Sequence, residues 1–426
     1  MKSLSERLKE QFPSIREDIK KLVKEHAAKE VGKVTVEQLY GGMRGIRSLV
    51  CDTSLVEPDT GLIIRGRPIK ELADKLPEEI FYLLCTGELP DKESLASLQE
   101  DLKKRYDVPS YVWNVLDAMP KDSHPMTMFS LGILCMQKES VFTKRYNEGM
   151  KKEDYWIPTL EDALTIIARA PVIAAYIYRK KYNKGERINP NPNLDWAANY
   201  AYMLGIPDPK GEFAKLMRLY LTLHSDHESG NVSAMTGATV NSALSDLYYS
   251  LSAALNGLAG PLHGLANQEC LKWILEVKNK FNGVPTDDEL RKYAWDTLNA
   301  GKVIPGYGHA VLRITDPRFS AFMEFGKKYC KDDPIFQIVE KVFNIVPKVL
   351  MEQGKAKDPW PNVDAISGSL LYHYGLVEFE YYTVLFGISR ILGISAQAII
   401  ARGMGYPIIR PKSVTTEWVK KQLNIN

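Results

Sequence analysis

The sequence predicts a mainly α-helical protein with one small β-hairpin region near residues 32–66. Three observations carry this. Apolar residues recur at spacings of three and four through most of the chain, with prolines punctuating the starts of successive runs. Short apolar runs around a turn occur convincingly only within residues 32–66. Two central runs, 231–242 and 246–257, are rich in Ala, Ser, Gly and Thr, as expected of buried helices that pack closely.

Taken in order, residues 3–30 place Leu4, Leu8, Phe12, Ile15, Ile19 and Leu22 on one helical face, with a break expected near Pro13. That face needs a partner surface. In 32–66, I-R-S-L-V-C and G-L-I-I-R-G flank the turn formers E-P-D-T-G. Helices are expected over 69–76, 77–87, 91–106, 109–119 and 125–135. The longest, 159–182, carries Thr159 and Asp162 at capping-box spacing and Pro171 as a kink. Residues 183–196 are a loop of turn formers, and a helix over 211–223 precedes the two small-residue runs. Beyond residue 265 the helices (271–281, 286–301, 333–353) become more charged, which marks a candidate second domain.

Composition excludes several classes. With 45% hydrophobic and 25% charged residues, 426 residues suffice for one large or two to three ordinary domains. A net charge of +3, without basic runs interleaved with aromatics, gives no footprint for nucleic acid. Five scattered cysteines with no C-x-x-C pair read as free thiols of a reducing compartment. No apolar stretch is expected to span a membrane, and acidic residues from position six argue against a secretory or transit signal. The expected location is therefore cytoplasmic, as in a bacterium, with the mitochondrial matrix as the alternative if a presequence has been removed.

Polar constellations interrupt this helical background. His263 stands at the centre of N-G-L-A-G-P-L-H-G-L-A-N-Q-E, residues 256–269. Gly260-Pro261 stops one helix and opens another, so His263 is expected in a first helical turn, where unpaired N–H groups disfavour a second ring proton. Such a ring stays neutral and donates hydrogen bonds. A core histidine beside a tight helix crossing fits the same fragment taken alone. The string H-S-D-H-E, with His224 and His227, has neither order of the helical zinc motifs, so no metal is expected.

Residues 303–318 form a Gly/Pro loop, V-I-P-G-Y-G-H, followed by Arg313 and Arg318, with His309 inside it. Asp364 lies in W-P-N-V-D, where capping of a helix near Ile366 is the plainer role. Arg390 interrupts a largely apolar helix and needs an anion there. A carboxylate, two histidines and several arginines, with no G-x-S-x-G, Rossmann or P-loop fingerprint, point to proton chemistry on a small polyanion.

The strings Y-G-G-M-R-G, L-H-S-D-H-E, N-G-L-A-G-P-L-H-G-L-A-N-Q-E, P-G-Y-G-H-A-V-L-R, T-D-P-R, W-P-N-V-D and R-P-K-S together resemble the citrate synthase family, of the type found in mitochondria and some bacteria. The resemblance covers nearly the whole chain. It implies an all-α homodimer whose large domain (1–265 and 373–426) and small domain (266–372) close over acetyl-CoA and oxaloacetate, with no cofactor or metal. Asp364 would be the base that deprotonates the acetyl methyl, His263 would stabilise the enol, and His309 would polarise the ketone. His227, Arg318 and Arg390, with Arg410 of a second subunit, would hold the carboxylates. Coenzyme A would meet Arg44, Arg313 and, across the dimer, Lys144, while Val303, Ile304, Pro305, Gly306 and Tyr307 would cradle adenine.

Departures from the family pattern are Lys144 in place of an arginine, with Arg145 next to it, and Met235 and Ile366 where histidine is frequent. The N-terminal β-domain of NADH-inhibited hexameric relatives is absent from the sequence, so such regulation is not expected. The alternatives are a 2-methylcitrate synthase that uses propionyl-CoA through the same residues and a non-catalytic structural relative.

Overall fold

The computed structural model describes residues 2–309 and 311–425; Ala310, inside P-G-Y-G-H-A-V-L-R, lies outside them, as do Met1 and Asn426. The N-terminal part contains α1 (Leu4–His26), α2 (Val36–Tyr40), strands β1 (Ser54–Glu57), β2 (Gly61–Ile64) and β3 (Arg67–Pro68), then α3 (Pro77–Thr86), α4 (Lys92–Lys103), α5 (Ser110–Ala118), α6 (Pro125–Cys135) and α7 (Val141–Asn147). The centre contains α8 (Trp156–Lys181), α9 (Trp196–Leu204), α10 (Glu212–Leu223), α11 (Val232–Ser242) and α12 (Leu247–Leu258). There follow α13 (Ala266–Lys280), α14 (Asp287–Asn299), α15 (Pro317–Tyr329), α16 (Pro334–Gln353), α17 (Asp364–His373), α18 (Tyr382–Met404) and α19 (Thr416–Gln422).

Helices α8 and α18 pack on each other and are buried along most of their length. Around them stand α6, α9, α11 and α12, and the small residues expected at the centre do allow close approach. At Gly237 of α11, an added Cβ would lie 2.9 Å from Ile394 and 3.3 Å from Ala254. Helices α13 to α17 pack chiefly among themselves, and α10 touches α15 and α17.

Several expectations are corrected. The β region starts at Ser54 rather than in I-R-S-L-V-C, and it has three antiparallel strands in the order β1-β2-β3. Residues 36–40 are helical because Thr35 and Gln38 form a capping box. Helix α1 runs through Pro13 without ending, since Leu8 and Phe12 anchor it; the Phe12 ring fills the notch left by Gly403, where a Cβ would stand 2.5 Å away. Thr159 and Asp162 do not cap α8. Thr159 lies inside it and donates to Tyr155 O, whereas Asp162 accepts from Ser140 Oγ and from Val141 and Phe142 N–H at the start of α7.

One stretch, Phe379–Met404, is long and apolar enough to cross a membrane, contrary to the sequence expectation. Within the fold 83% of that window is buried, so packing against α8 and α11 accounts for its apolarity. The hairpin turn reaches the later part of the chain. Pro58 O accepts from Arg313 N–H at 2.9 Å, and Gly61 (φ +84°) leaves space for Pro317, whose ring would be 2.6 Å from a Cβ.

Candidate active site

The first wall is the segment between α10 and α11. His224 ends α10 with its Nδ1 2.9 Å from Tyr220 O, stacked on the Tyr220 ring. Asp226 turns the other way, onto Thr53 and Ser54, while the His227 ring faces His309 with centroids 5.9 Å apart. His224, Asp226 and His227 therefore diverge, which is no arrangement for a shared ion; among the described residues no group of three metal-ligating side chains is gathered anywhere. Asn231 caps α11 through Ala234 N–H, and its Oδ1 also accepts from Ser233 Oγ and, at 3.4 Å, from Arg390.

His263 is not in the first turn of a helix, as expected, but in the turn between α12 and α13, which begins only at Ala266. Gly264 keeps the turn tight, since a Cβ there would lie 2.3 Å from Leu258 O. The ring instead meets the start of a different helix. The Ser233 backbone N–H of α11 donates to Nε2 at 3.3 Å, with Ser233 Oγ 2.9 Å away. A backbone N–H only donates, so Nε2 is a lone pair and Nδ1 carries the proton; the single Ser233 hydroxyl proton then points to Nε2 in place of Asn231 Oδ1 whenever the 2.9 Å contact is a hydrogen bond. Burial, then the Arg390 charge, pushes this imidazole down to about 4. It is a neutral donor, as expected, with a different support.

The opposite wall is built by two loops zipped together. Gly306 O accepts from Asn362 N–H, Gly308 N–H donates to Trp360 O, Asn362 Nδ2 donates to Gly308 O, and Tyr307 pairs with Pro361. Gly306 is required: its φ is +80°, and a Cβ would stand 2.8 Å from Ala365 Cα. This zip ties the loop that carries His309 to the segment that opens α17. Val311 and Leu312 N–H both donate to His309 Nδ1 at 3.0 Å, so Nε2 carries the proton. Burial and the Arg318 charge push this ring to about 4 as well.

Asp364 is the first residue of α17, and its own N–H is bound by Asn362 Oδ1, so the side chain is not a cap. Burial raises the carboxyl to about 6, an effect opposed by Arg318 and Arg390 and reinforced by Asp316. Arg318 is buried and forks onto Asp316 through Nε and Nη2, the latter at 2.7 Å. Arg390 is 2% exposed, lies over the Phe386 ring, and donates only to His224 O (3.2 Å) and Asn231 Oδ1. Its side-chain partners among the described residues are thus neutral. Burial and the two arginines push His227 well below its usual range, so it too is neutral.

His227, His263, His309, Asp364, Arg318 and Arg390 thus converge. Arg44, Lys144, Arg313 and Arg410 do not bury themselves there: all four are exposed. Arg313 folds onto the carbonyls of Val311 and Leu312, at 3.1 and 2.6 Å. Val303 is exposed and Ile304 buried, with Pro305 and Tyr307 between these extremes. A cavity of about 480 Å³ is lined by Arg410, Arg402 and apolar residues of α11 and α18, and does not include the histidines or Asp364.

Sequence reading placed Asn231 at a pocket or a helix cap, and missed Ser233, Asp316 and Phe386. Asp316 was visible as the residue before Pro317 in T-D-P-R, an Asp/Pro helix start. Ser233 carried no signal, because its backbone rather than its side chain fixes the tautomer. These groups bring together a neutral Nδ1–H, a neutral Nε2–H, a carboxylate of raised pKa and buried arginines. That set can remove a weakly acidic proton while two donors stabilise developing oxyanions.

The family model for the citrate synthase C-terminal domain matches residues 42–412. The chain is 51% identical to citrate synthase 4, mitochondrial, of Arabidopsis thaliana, over 98% of this chain and 90% of the relative. It is 48% identical to the mitochondrial citrate synthase of Saccharomyces cerevisiae, over 98% and 89%. Among solved structures, the citrate synthase of Pyrobaculum aerophilum superposes with a TM-score of 0.80 at 28% identity, covering 91% of this chain and 95% of that one. A ternary complex of the Thermoplasma acidophilum enzyme with carboxymethyl coenzyme A and oxaloacetate gives 0.76 at 25% identity, over 90% and 97%. Matched from end to end in sequence and in fold, the chain belongs to the citrate synthase family.

Proposed function

We propose that this chain condenses acetyl-CoA with oxaloacetate and hydrolyses the resulting citryl-CoA to citrate and coenzyme A. The observation that carries the reading is the gathering of His227, His263, His309 and Asp364 around the buried Arg318 and Arg390, with His263 and His309 held neutral and in opposite tautomers by backbone N–H groups. A methyl group beside a thioester is a very weak acid. Asp364 removes its proton only if the forming enolate oxygen is stabilised at the same moment, and His263 Nδ1–H supplies that bond. His309 Nε2–H polarises the ketone of oxaloacetate and then protonates the new alkoxide.

The carboxylates fall to His227, Arg390 and Arg318, with Asp316 holding the Arg318 fork in plane. Arg410 completes the clamp from a second copy of the chain. Arg44, Arg313 and the second copy's Lys144 or Arg145 meet the coenzyme A phosphates, and residues 303–307 receive the adenine. No metal or other cofactor takes part. Exposed apolar side chains on the arms that flank the body, Val31, Val50 and Ile408, and Val232 on α11, support a homodimer. Closure of residues 266–372 over the rest of the chain excludes water until condensation is complete.

The location follows the relatives. Their names place them in mitochondria, which favours the matrix alternative over the cytoplasmic, bacterial expectation.

The test is oxaloacetate-dependent release of free coenzyme A thiol from acetyl-CoA, run beside propionyl-CoA. A higher specificity constant for acetyl-CoA is expected. A preference for propionyl-CoA would make the chain a 2-methylcitrate synthase, since one methylene is worth only a modest discrimination in an apolar pocket.

A further inference from the structure

Asp226 is 0% exposed, and its hydrogen-bond partners are neutral: Thr53 Oγ1 at 2.6 Å, Ser54 Oγ at 2.8 Å and Gln397 Nε2 at 2.8 Å. One helical turn from its contact on α18 stands Arg390, equally buried and equally surrounded by neutral acceptors. The contact is close. Gly393 N–H donates to Ser225 O at 3.0 Å, and a Cβ on Gly393 would lie 2.4 Å from Asp226 Oδ1. Residues three apart on a helix are neighbours, and the Asp226 and Arg390 charges act on each other through space, although no salt bridge engages either among the described residues.

A buried charge is costly unless something compensates it. With no ligand bound, Asp226 and Arg390 compensate each other through space. We propose that Asp226 is the resident counter-charge of Arg390, a positioning residue that limits how tightly the site holds carboxylate ligands. This rests on the citrate synthase reading above. Citrate carries one carboxylate more than oxaloacetate, so an uncompensated arginine would bind the product more tightly and delay its release. Asp226 supplies the largest contribution that favours the charged form of Arg390. Burial raises the Asp226 carboxyl above its usual range, and the Thr53 and Ser54 hydrogen bonds and the Arg390 charge oppose that rise.

Asp226 also shapes the loop that carries His227. Ser54 Oγ accepts from Glu228 N–H at 2.7 Å, and Gln397 Nε2 donates to Glu228 O at 3.2 Å. The test must therefore separate charge from scaffold. Asp226→Asn keeps most of the scaffold: its amide oxygen accepts from Thr53 and Ser54, and Gln397, turning its own oxygen to the new NH₂, gives up only its 3.2 Å bond to Glu228 O. Gln397→Lys gives the same electrostatic result by the opposite route, setting an ammonium against an intact Asp226 beside the large cavity.

Citrate affinity is measured by titration calorimetry on wild type and both variants, with steady-state KM for oxaloacetate in parallel. Both variants are expected to bind citrate about tenfold more tightly, with a lower oxaloacetate KM and no gain in kcat. Asp226→Ala, which loses the scaffold as well, weakens citrate instead. Unchanged or weakened affinity in both Asp226→Asn and Gln397→Lys would overturn the inference; should Asp226→Asn not fold, Gln397→Lys decides alone. Wild-type turnover is recorded in the same series, and its absence would fail the functional reading rather than this one.

Discussion

The turn that carries His263 and the loop that carries His309 reach the same protonation state by different constructions. His263 leans on the first-turn backbone of α11, which takes up Nε2 and leaves the proton on Nδ1. His309 is held by its own following residues, which take up Nδ1 and leave the proton on Nε2. The first support is helix packing; the second depends on a loop-to-loop zip with a glycine at its tightest point. A neutral imidazole donor needs burial and one backbone N–H on its other nitrogen, and any element that presents such an N–H will serve.

The largest expected effect breaks both regions at once. Asp364→Asn removes the base that each histidine assists, and kcat should fall about a thousandfold with little change in oxaloacetate KM, measured by thiol release. Next, Gly306→Ala attacks only the zipped loop. It forces a Cβ into Ala365 at positive φ, so kcat should fall about a hundredfold, with about 1–3 kcal/mol lost in denaturant unfolding. The environment of His263 should be unaltered in that variant.

The pH profile sharpens the comparison further. Asp364 acts as a carboxylate and its pKa is raised to about 6, so activity should be full above that pH and fall as pH drops through it, about tenfold by pH 5. Both histidines act neutral and titrate near 4, so neither should add an inflection between pH 5 and 8. The smallest effect belongs to Ser233→Ala. The backbone N–H that fixes the His263 tautomer survives, and turnover should stay within about threefold of wild type.

Much of this was legible in the sequence, for physical reasons. Helical periodicity, capping residues and the small-residue runs foretold α10 to α12 and the buried course of α18. Arg390 announced an anion site because a charge inside an apolar helix has no other cheap explanation. Legibility failed where the deciding contact is long-range. His263 was placed on a helix by Gly260-Pro261, yet the helix that matters starts thirty residues earlier, at Val232. Thr159 and Asp162 matched a local cap, but Asp162 turned to α7 because unpaired N–H groups there were a better use for a buried carboxylate. The coenzyme A contacts rest on resemblance, since Arg44 and Lys144 are exposed side chains whose sequence surroundings look like ordinary surface.

The central claim is that two neutral histidines of opposite tautomer serve one carboxylate. Histidine-selective ¹⁵N spectra, assigned with His263→Asn and His309→Asn variants, test it most directly. Between pH 6 and 8 the account predicts an Nδ1–H pattern for His263 and an Nε2–H pattern for His309, both unchanged with pH. An imidazolium at either position at pH 7, or the same tautomer at both, would contradict it.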